Sequence, residues 1–398
     1  MKSMKERTIM ELAVLWSISA AAALAIVLFG EPLAVDQVDT SQAPVRQVDG
    51  EWPIYRGDRQ LTGIAAAVLP DKLEVAWQYD AAATIKSSPV MASGVVYIGS
   101  GVGLHAIDAT SGSELWRFEE ASRVEAPAIV VDGTVFVGAL DGIFFAIDAA
   151  DGTERWRFEA QGQITGSATW FRMDNRMGVI FASHDSFIYC LDTATGEEIW
   201  RAETGSYLLG PVTVVEEMAL VGSCDARLHA VALLDGRSIW KTNVGAYVTA
   251  GIAVSEGRGV VGHYGGKVVC IDVADGSIIW EYDLSVTGAA IASSGAIDSG
   301  RVVIGSQDSR LFCLDLADGT VLWQFVARRD IDSSPVIAGN RVAFGSRDGR
   351  LYILDLFTGG ELWSYDCSAP VSSTPAVAGG LVVIAAEDGR VLAFAGAH

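Results

Sequence analysis

Short apolar runs separated by turn residues fill most of this chain. After Trp323 the sequence reads "SSPVIA", the turn "GN", "RVAFGS", the turn "RDG" and then "RLYILDL". Runs of five to seven residues rich in Val, Ile, Tyr and Phe predict β-strands, and none carries helical spacing over a useful length. The junction between the first two runs holds Ser93-Gly94, Asp132-Gly133, Ser299-Gly300, Gly339-Asn340 or Gly379-Gly380. These residues accept the positive φ that a tight hairpin demands.

A longer phrase punctuates the strands. "AIDATSGSELW" ends at Trp116, "AIDAADGTERW" at Trp156, "CLDTATGEEIW" at Trp200, "CIDVADGSIIW" at Trp280, "CLDLADGTVLW" at Trp323 and "ILDLFTGGELW" at Trp363. The copy ending at Trp240 lacks the first Asp, and a less complete copy ends at Trp77. Successive tryptophans lie 39, 40, 44, 40, 40, 43 and 40 residues apart, which makes eight repeats. A unit of this length cannot bury its apolar surface alone and must stack on its neighbours. Three strands plus the tryptophan strand give four per unit, the pattern of a β-propeller blade. Nearly continuous apolar runs such as "GLVVIAA" agree with sheets buried on both faces. The last unit lacks a tryptophan strand and the segment around Trp77 lacks preceding strands. The expected fold is therefore all-β: an eight-bladed β-propeller of four-stranded antiparallel blades, closed by pairing the Trp77 strand with the carboxyl end so that no sheet is left incomplete.

Composition adds the location. Leu12 to Phe29 is an eighteen-residue stretch without charge, preceded by Lys2, Lys5 and Arg7. It is long enough to span a bilayer, and the leading positive charges put everything after Gly30 on the far side of the membrane. The following "GEPLAV" is a poor cleavage site, so residues 1–30 read as a transmembrane signal anchor in preference to a cleaved signal peptide. Residues 31–50 read as a flexible linker and residues 51–398 as the propeller. No Cys lies near the end of the apolar segment to carry a lipid. The net charge of −21 repels phosphate backbones and excludes nucleic acid as a partner.

The phrase A-x-D-x-x-x-G-x-x-x-W, followed by S-x-P-V-V and G-S-x-D-G, resembles the PQQ-like (pyrrolo-quinoline quinone) β-propeller repeat family over about residues 50–398. "WPIYRGDRQLTG", Trp52 to Gly63, is similar to the segment that often precedes the first blade there. The eight-fold count and the export signal are similar to the branch that serves assembly of outer-membrane β-barrels. The resemblance implies a non-catalytic scaffold on the periplasmic side whose partners are other proteins of the cell envelope. It also implies that Trp77, Trp116, Trp156, Trp200, Trp240, Trp280, Trp323 and Trp363 dock each blade on its neighbour. Another branch, the quinoprotein dehydrogenases, implies PQQ with calcium, a catalytic Asp and adjacent cysteines. This chain has no adjacent cysteines and no long insertion to cover a cofactor, so no cofactor, metal or catalytic residue is expected. A carbohydrate or other ligand in the central channel stays open as a third reading.

The remaining chemistry is that of a surface. Cys190, Cys270 and Cys313 share one repeat position and read as buried small hydrophobes, whereas Cys224 and Cys367 fall at turns and are expected to be exposed. His105 and His229 read as packed strand residues. Turn aspartates Asp141, Asp185, Asp225, Asp308, Asp348 and Asp388 are expected to bond their own backbone. The variable turn residue runs Leu140, His184, Cys224, Tyr264, Gln307, Arg347 and Glu387 through the blades, and such scatter on a constant frame points to recognition. Arg310, Arg328, Arg329, Arg347, Arg350 and Arg390 gather on the same turns and entry loops. From residue 301 onward the net charge is only −3, and the last blades are expected to offer a locally basic patch to an acidic or extended peptide. His184, Tyr264, Gln307 and these six arginines form the candidate partner surface.

Overall fold

The computed structural model describes residues 50–397 except 71, 174 and 285–287. The apolar segment at 12–29 and the linker up to residue 49 lie outside the described residues. Eight antiparallel four-stranded sheets follow one another. Blade 1 comprises Val90–Ala92, Val95–Ser100, Gly103–Asp108 and Glu114–Phe118, and blades 2 to 7 repeat this order. Blade 8 takes three strands, Ala376–Ala378, Leu381–Ala385 and Arg390–Gly396, from the end of the chain. Its fourth strand is Leu73–Asp80, paired antiparallel to Arg390–Gly396 with Gln78 opposite Leu392. First strands of successive blades pack on one another from blade 3 round to blade 8 and on to blade 1, so they line the axis and the fourth strands form the rim.

The local chemistry explains the turns. Ser93 and Gly94, Asp132 and Gly133, and Ser299 and Gly300 all take positive φ, as their hairpins require. Second and third strands are buried except at their ends, whereas fourth strands such as Glu154–Glu159 alternate between half-buried and exposed positions. The core is accordingly a ring of wedges between blades. Between blades 2 and 3, for example, Phe144 stacks on Phe181 with ring centroids 4.1 Å apart, beside Tyr189.

Seven of the tryptophans meet the next blade in one way. The indole N–H of Trp77, Trp116, Trp156, Trp200, Trp240, Trp280 and Trp323 donates to the carbonyl of Ala109, Ala149, Thr193, Leu233, Val273, Leu316 and Leu356 respectively, at 2.7–3.1 Å. Each ring lies on the glycine of that turn, from Gly112 to Gly359, where an added Cβ would fall within 2.9 Å of the indole. The Asp of the repeat phrase shapes the same turn: Asp108 accepts the N–H groups of Thr110 and Ser111, and Asp315 that of Ala317. Asp and Gly of one repeat thus build the seat for the Trp of the repeat before it. Trp363 faces blade 8, where the third and fourth strands come from distant parts of the chain and no such turn joins them, and it packs against Phe394 instead.

The axis is occupied by the chain itself. Residues 52–65 wind around the inside of the ring, taking one backbone hydrogen bond from the middle of the first strand of six blades. Met91 donates to Trp52, Val130 to Pro53, Val214 to Arg59, Val254 to Gln60, Ile297 to Thr62 and Ile337 to Gly63. Ile64–Ala65 then pairs parallel to Val336–Ala338, and Arg59 lies over the Trp170 ring of blade 3 at 4.7 Å. Inner sheet edges that would otherwise face an open channel are satisfied in this way. Tyr55 and Arg56 point toward the loops that enter the first strands. The Tyr55 hydroxyl lies 2.9 Å from Ser334 Oγ, and the fully buried Arg56 guanidinium donates to the carbonyls of Pro335 and Gly295.

Candidate interaction surface

The turns between second and third strands and the loops entering first strands lie on one face, because strand direction alternates. They are locked together blade by blade. The N–H of Leu140, His184, Cys224, Tyr264, Gln307, Arg347 and Glu387 donates to the carbonyl of Arg123, Gln163, Tyr207, Tyr247, Ala290, Asp330 and Pro370 respectively, at 2.9–3.0 Å. Five of the six turn aspartates accept the N–H two residues on, as expected; Asp308 is the exception, with a buried Oδ1 that has no partner. Varied side chains therefore stand on a fixed frame.

Two sectors differ in chemistry. In blades 3 to 5, Tyr207, Tyr247 and Tyr264 are exposed, and Tyr207 leaves 61% of its surface free. The His184 ring lies 6.2 Å from that of Tyr207, with Nε2 2.9 Å from Thr165 Oγ1, and burial pushes its pKa down. Tyr207 and Tyr247 are absent from the sequence-derived set. The signal was present, because the two tyrosines stand 40 residues apart at one repeat position, in "GSYLLG" and "GAYVTA".

In blades 6 to 8 the arginines meet carboxylates. Arg347 lies 3.2 Å from Asp332 and 3.9 Å from Glu387, Arg310 3.7 Å from Asp308, Arg350 3.4 Å from Asp366 and Arg390 2.7 Å from Asp388. Gln307 donates to Asp332 as well. The sector is a network of paired charges, with Arg328 and Arg329 left exposed and their guanidinium groups unpaired among the described residues.

Two interior histidines are hydrogen-bonded, whereas the buried Nε2 of His263 finds no partner among the described residues. His105 is bonded to Ser100 and Tyr79, and His229 to Asp225. Cys190, Cys270 and Cys313 are buried, and burial raises the Cys270 thiol to about 11 and that of Cys313 to about 12. Cys224 is half-buried. Cys367, expected at an exposed turn, is instead buried: its backbone N–H is held by Gly349 and its carbonyl by Arg390, which folds the thiol inward. Among the described residues no three His, Cys, Asp or Glu converge as a metal ion would require.

Comparison with known proteins matches this geometry. No curated protein sequence matches the chain significantly. Among solved structures, BamB from Moraxella catarrhalis is 20% identical with a TM-score of 0.69, covering 82% of this chain and 98% of that one. Quinohemoprotein alcohol dehydrogenase from Comamonas testosteroni is 16% identical with a TM-score of 0.76, covering 90% of this chain and 83% of that one. The computationally designed Ika8 protein is 19% identical with a TM-score of 0.70, covering 83% of this chain and 99% of that one. At these identities the likeness is one of fold. The profile of a family described as outer membrane protein assembly factor BamB matches residues 62–176, 177–240, 224–334 and 313–398, and the chain belongs to that PQQ-repeat family.

Proposed function

We propose that this protein is a non-catalytic interaction scaffold of the cell envelope, held on the periplasmic side of the membrane by its N-terminal apolar segment. It presents the turn-and-loop face to other envelope proteins, in outer-membrane protein assembly or a related complex. The observation that carries the reading is the chain's own occupation of the ring axis. Residues 52–65 hold the inner strands together and take the place a channel ligand would fill, which leaves the outer faces for recognition.

The residues present do not fit a quinone with its calcium. Tyr55 and Arg56 stand on the axis, bonded to blades 6 to 8, and among the described residues no three His, Cys, Asp or Glu converge there to hold a calcium ion. The scaffold reading therefore takes no cofactor and no metal. Rigid loops of varied sequence on a repeat frame are suited to protein recognition, and exposed tyrosine rings supply contact area at low entropic cost.

Crosslinking from a photoreactive residue placed at Tyr207 or Arg347, in the native envelope, is expected to capture specific proteins identified by mass spectrometry. Capture equal to that from a site on the opposite face would overturn the reading. So would dye reduction with alcohols or sugars, together with a raised Tm, on adding PQQ and calcium.

A further inference from the structure

Every blade ends in a fourth strand whose outer backbone edge has no neighbour among the described residues. Such edges invite pairing with other chains and are ordinarily guarded by charged side chains. Seven of the eight are guarded: Leu73–Asp80, Glu114–Phe118, Glu154–Glu159, Glu198–Glu203, Ser238–Asn243, Ile278–Asp283 and Glu361–Asp366 each carry Lys, Arg, Asp or Glu. The fourth strand of blade 6, Val321–Val326, reads "VLWQFV" and carries none. Its Trp323 and Phe325 turn inward against Leu356, Phe344 and Tyr352 of blade 7. Leu322 and Val326 lie on the alternate side, and Val326 is 62% exposed. The same rim continues with exposed Ile278 and Ile279 of blade 5 and Phe357 and Leu362 of blade 7.

A second feature adjoins this edge. Two residues beyond Val326 stand Arg328 and Arg329, the arginines of the candidate surface whose guanidinium groups pair with nothing among the described residues. We infer that the outer edge of blade 6 is a strand-addition site. Its occupant is an extended segment of another protein, apolar at alternate positions and acidic at the end that reaches Arg328 and Arg329. Backbone pairing supplies the attachment, the apolar side chains cover Leu322 and Val326, and the charged end sets direction. A second copy is the poorer complement, because each chain carries a net charge of −21. The inference rests on the scaffold reading and names one of its contact surfaces.

The test uses the full chain and a fluorescent ten-residue peptide of alternating Val and Thr ending in two Glu, with a Lys-ended peptide as control. Anisotropy is expected to show saturable binding of the Glu-ended peptide, at least about tenfold tighter than the control. Methylating alternate peptide amides should abolish it. Leu322→Lys and Val326→Lys should each weaken binding about tenfold, while Leu115→Lys on the rim of blade 1 should not. Replacing Arg328 and Arg329 by Glu should reverse the preference between peptides. All these positions are exposed, and unchanged thermal melts verify that the variants fold. Equal binding of both peptides, insensitivity to Leu322→Lys, no binding up to about 1 mM, or a dimer that Leu322→Lys dissolves would each overturn the proposal. Failure here with continued envelope crosslinking from Tyr207 or Arg347 would leave the scaffold reading standing.

Discussion

The Trp77 indole N–H meets the Ala109 carbonyl at 2.8 Å, tying the strand that completes blade 8 to the turn between the third and fourth strands of blade 1. That contact closes the ring, and its ring face lies on Gly112, which sits at φ +72 with no room for a Cβ. Trp77→Phe keeps most of the apolar area and loses the hydrogen bond, so it should cost about 1 kcal/mol. Gly112→Ala combines an unfavourable φ with a clash and should cost about 1–3 kcal/mol. Trp363→Phe should cost less than Trp77→Phe, since blade 8 offers Trp363 no such turn. Urea denaturation midpoints for the three variants check the order.

Arg56 makes the axial segment expensive to remove. Its side chain is wholly buried, bonded to carbonyls from blades 6 and 7, and burial lowers its pKa to about 10, which still leaves it charged at neutral pH. Arg56→Met removes those charge-assisted bonds and leaves two carbonyls without donors, a loss of about 3 kcal/mol. Amide exchange should then speed up at Val130, Val214, Val254, Ile297 and Ile337, whose N–H groups bond the segment. Exchange unchanged at those five amides would show that Arg56 does not hold the segment in place.

The blades were legible because repetition shows every element several times, and the Asp, Gly and Trp of each copy serve one interface. The occupant of the axis was not. "WPIYRGDRQLTG" has no period, and its bonds go to backbone N–H groups far along the chain, which side-chain identity does not encode. The sequence counts the arginines as charges but does not show the carboxylates that four of them meet. Arg347 pairs with Asp332 from its own entry loop and Glu387 of the next repeat, partners that only folding brings together. Cys367 was misread because turn position alone does not reveal that the neighbouring Arg390 closes over it.

Acid should loosen the ring in two stages. Burial holds the pKa of His105, His184, His229 and His263 below the ordinary value near 6.5. In the window between the lowered folded value and 6.5 the unfolded chain binds more protons than the folded one, so stability rises with pH there. The contribution is complete above about pH 7 and is lost as pH falls from 6.5 through the folded values. Carboxylates such as Asp108, held below their usual range by the Ser111 N–H and hydroxyl, act only at lower pH. Tm should therefore be flat above about pH 7 and decline toward pH 5. Replacing His105 and His229 together by Gln should shallow that decline; an unaltered slope would assign it elsewhere.

Hydroxyl groups stitch the axis on the side of the entry loops. The N–H of Gly251 donates to Ser294 Oγ, that of Ser294 to Ser334 Oγ, that of Ser334 to Thr374 Oγ1 and that of Thr374 to Ser88 Oγ, carrying a relay from blade 5 through blade 8 into blade 1. Tyr55 from the axial segment joins it at Ser334 and Thr374. Because Gly251, Ser294, Ser334, Thr374 and Ser88 are buried and Tyr55 is half-buried, removing one acceptor strands its donor. Ser334→Ala deprives the Ser294 N–H and the Tyr55 hydroxyl together and should cost about 1–3 kcal/mol, whereas Tyr55→Phe removes one hydroxyl and should cost about 1 kcal/mol. The two share a bond, so the double variant should be less destabilised than the sum, with a coupling of about 0.5–3 kcal/mol. Strict additivity in urea melts would mean that the axial segment and the serine relay hold the ring independently.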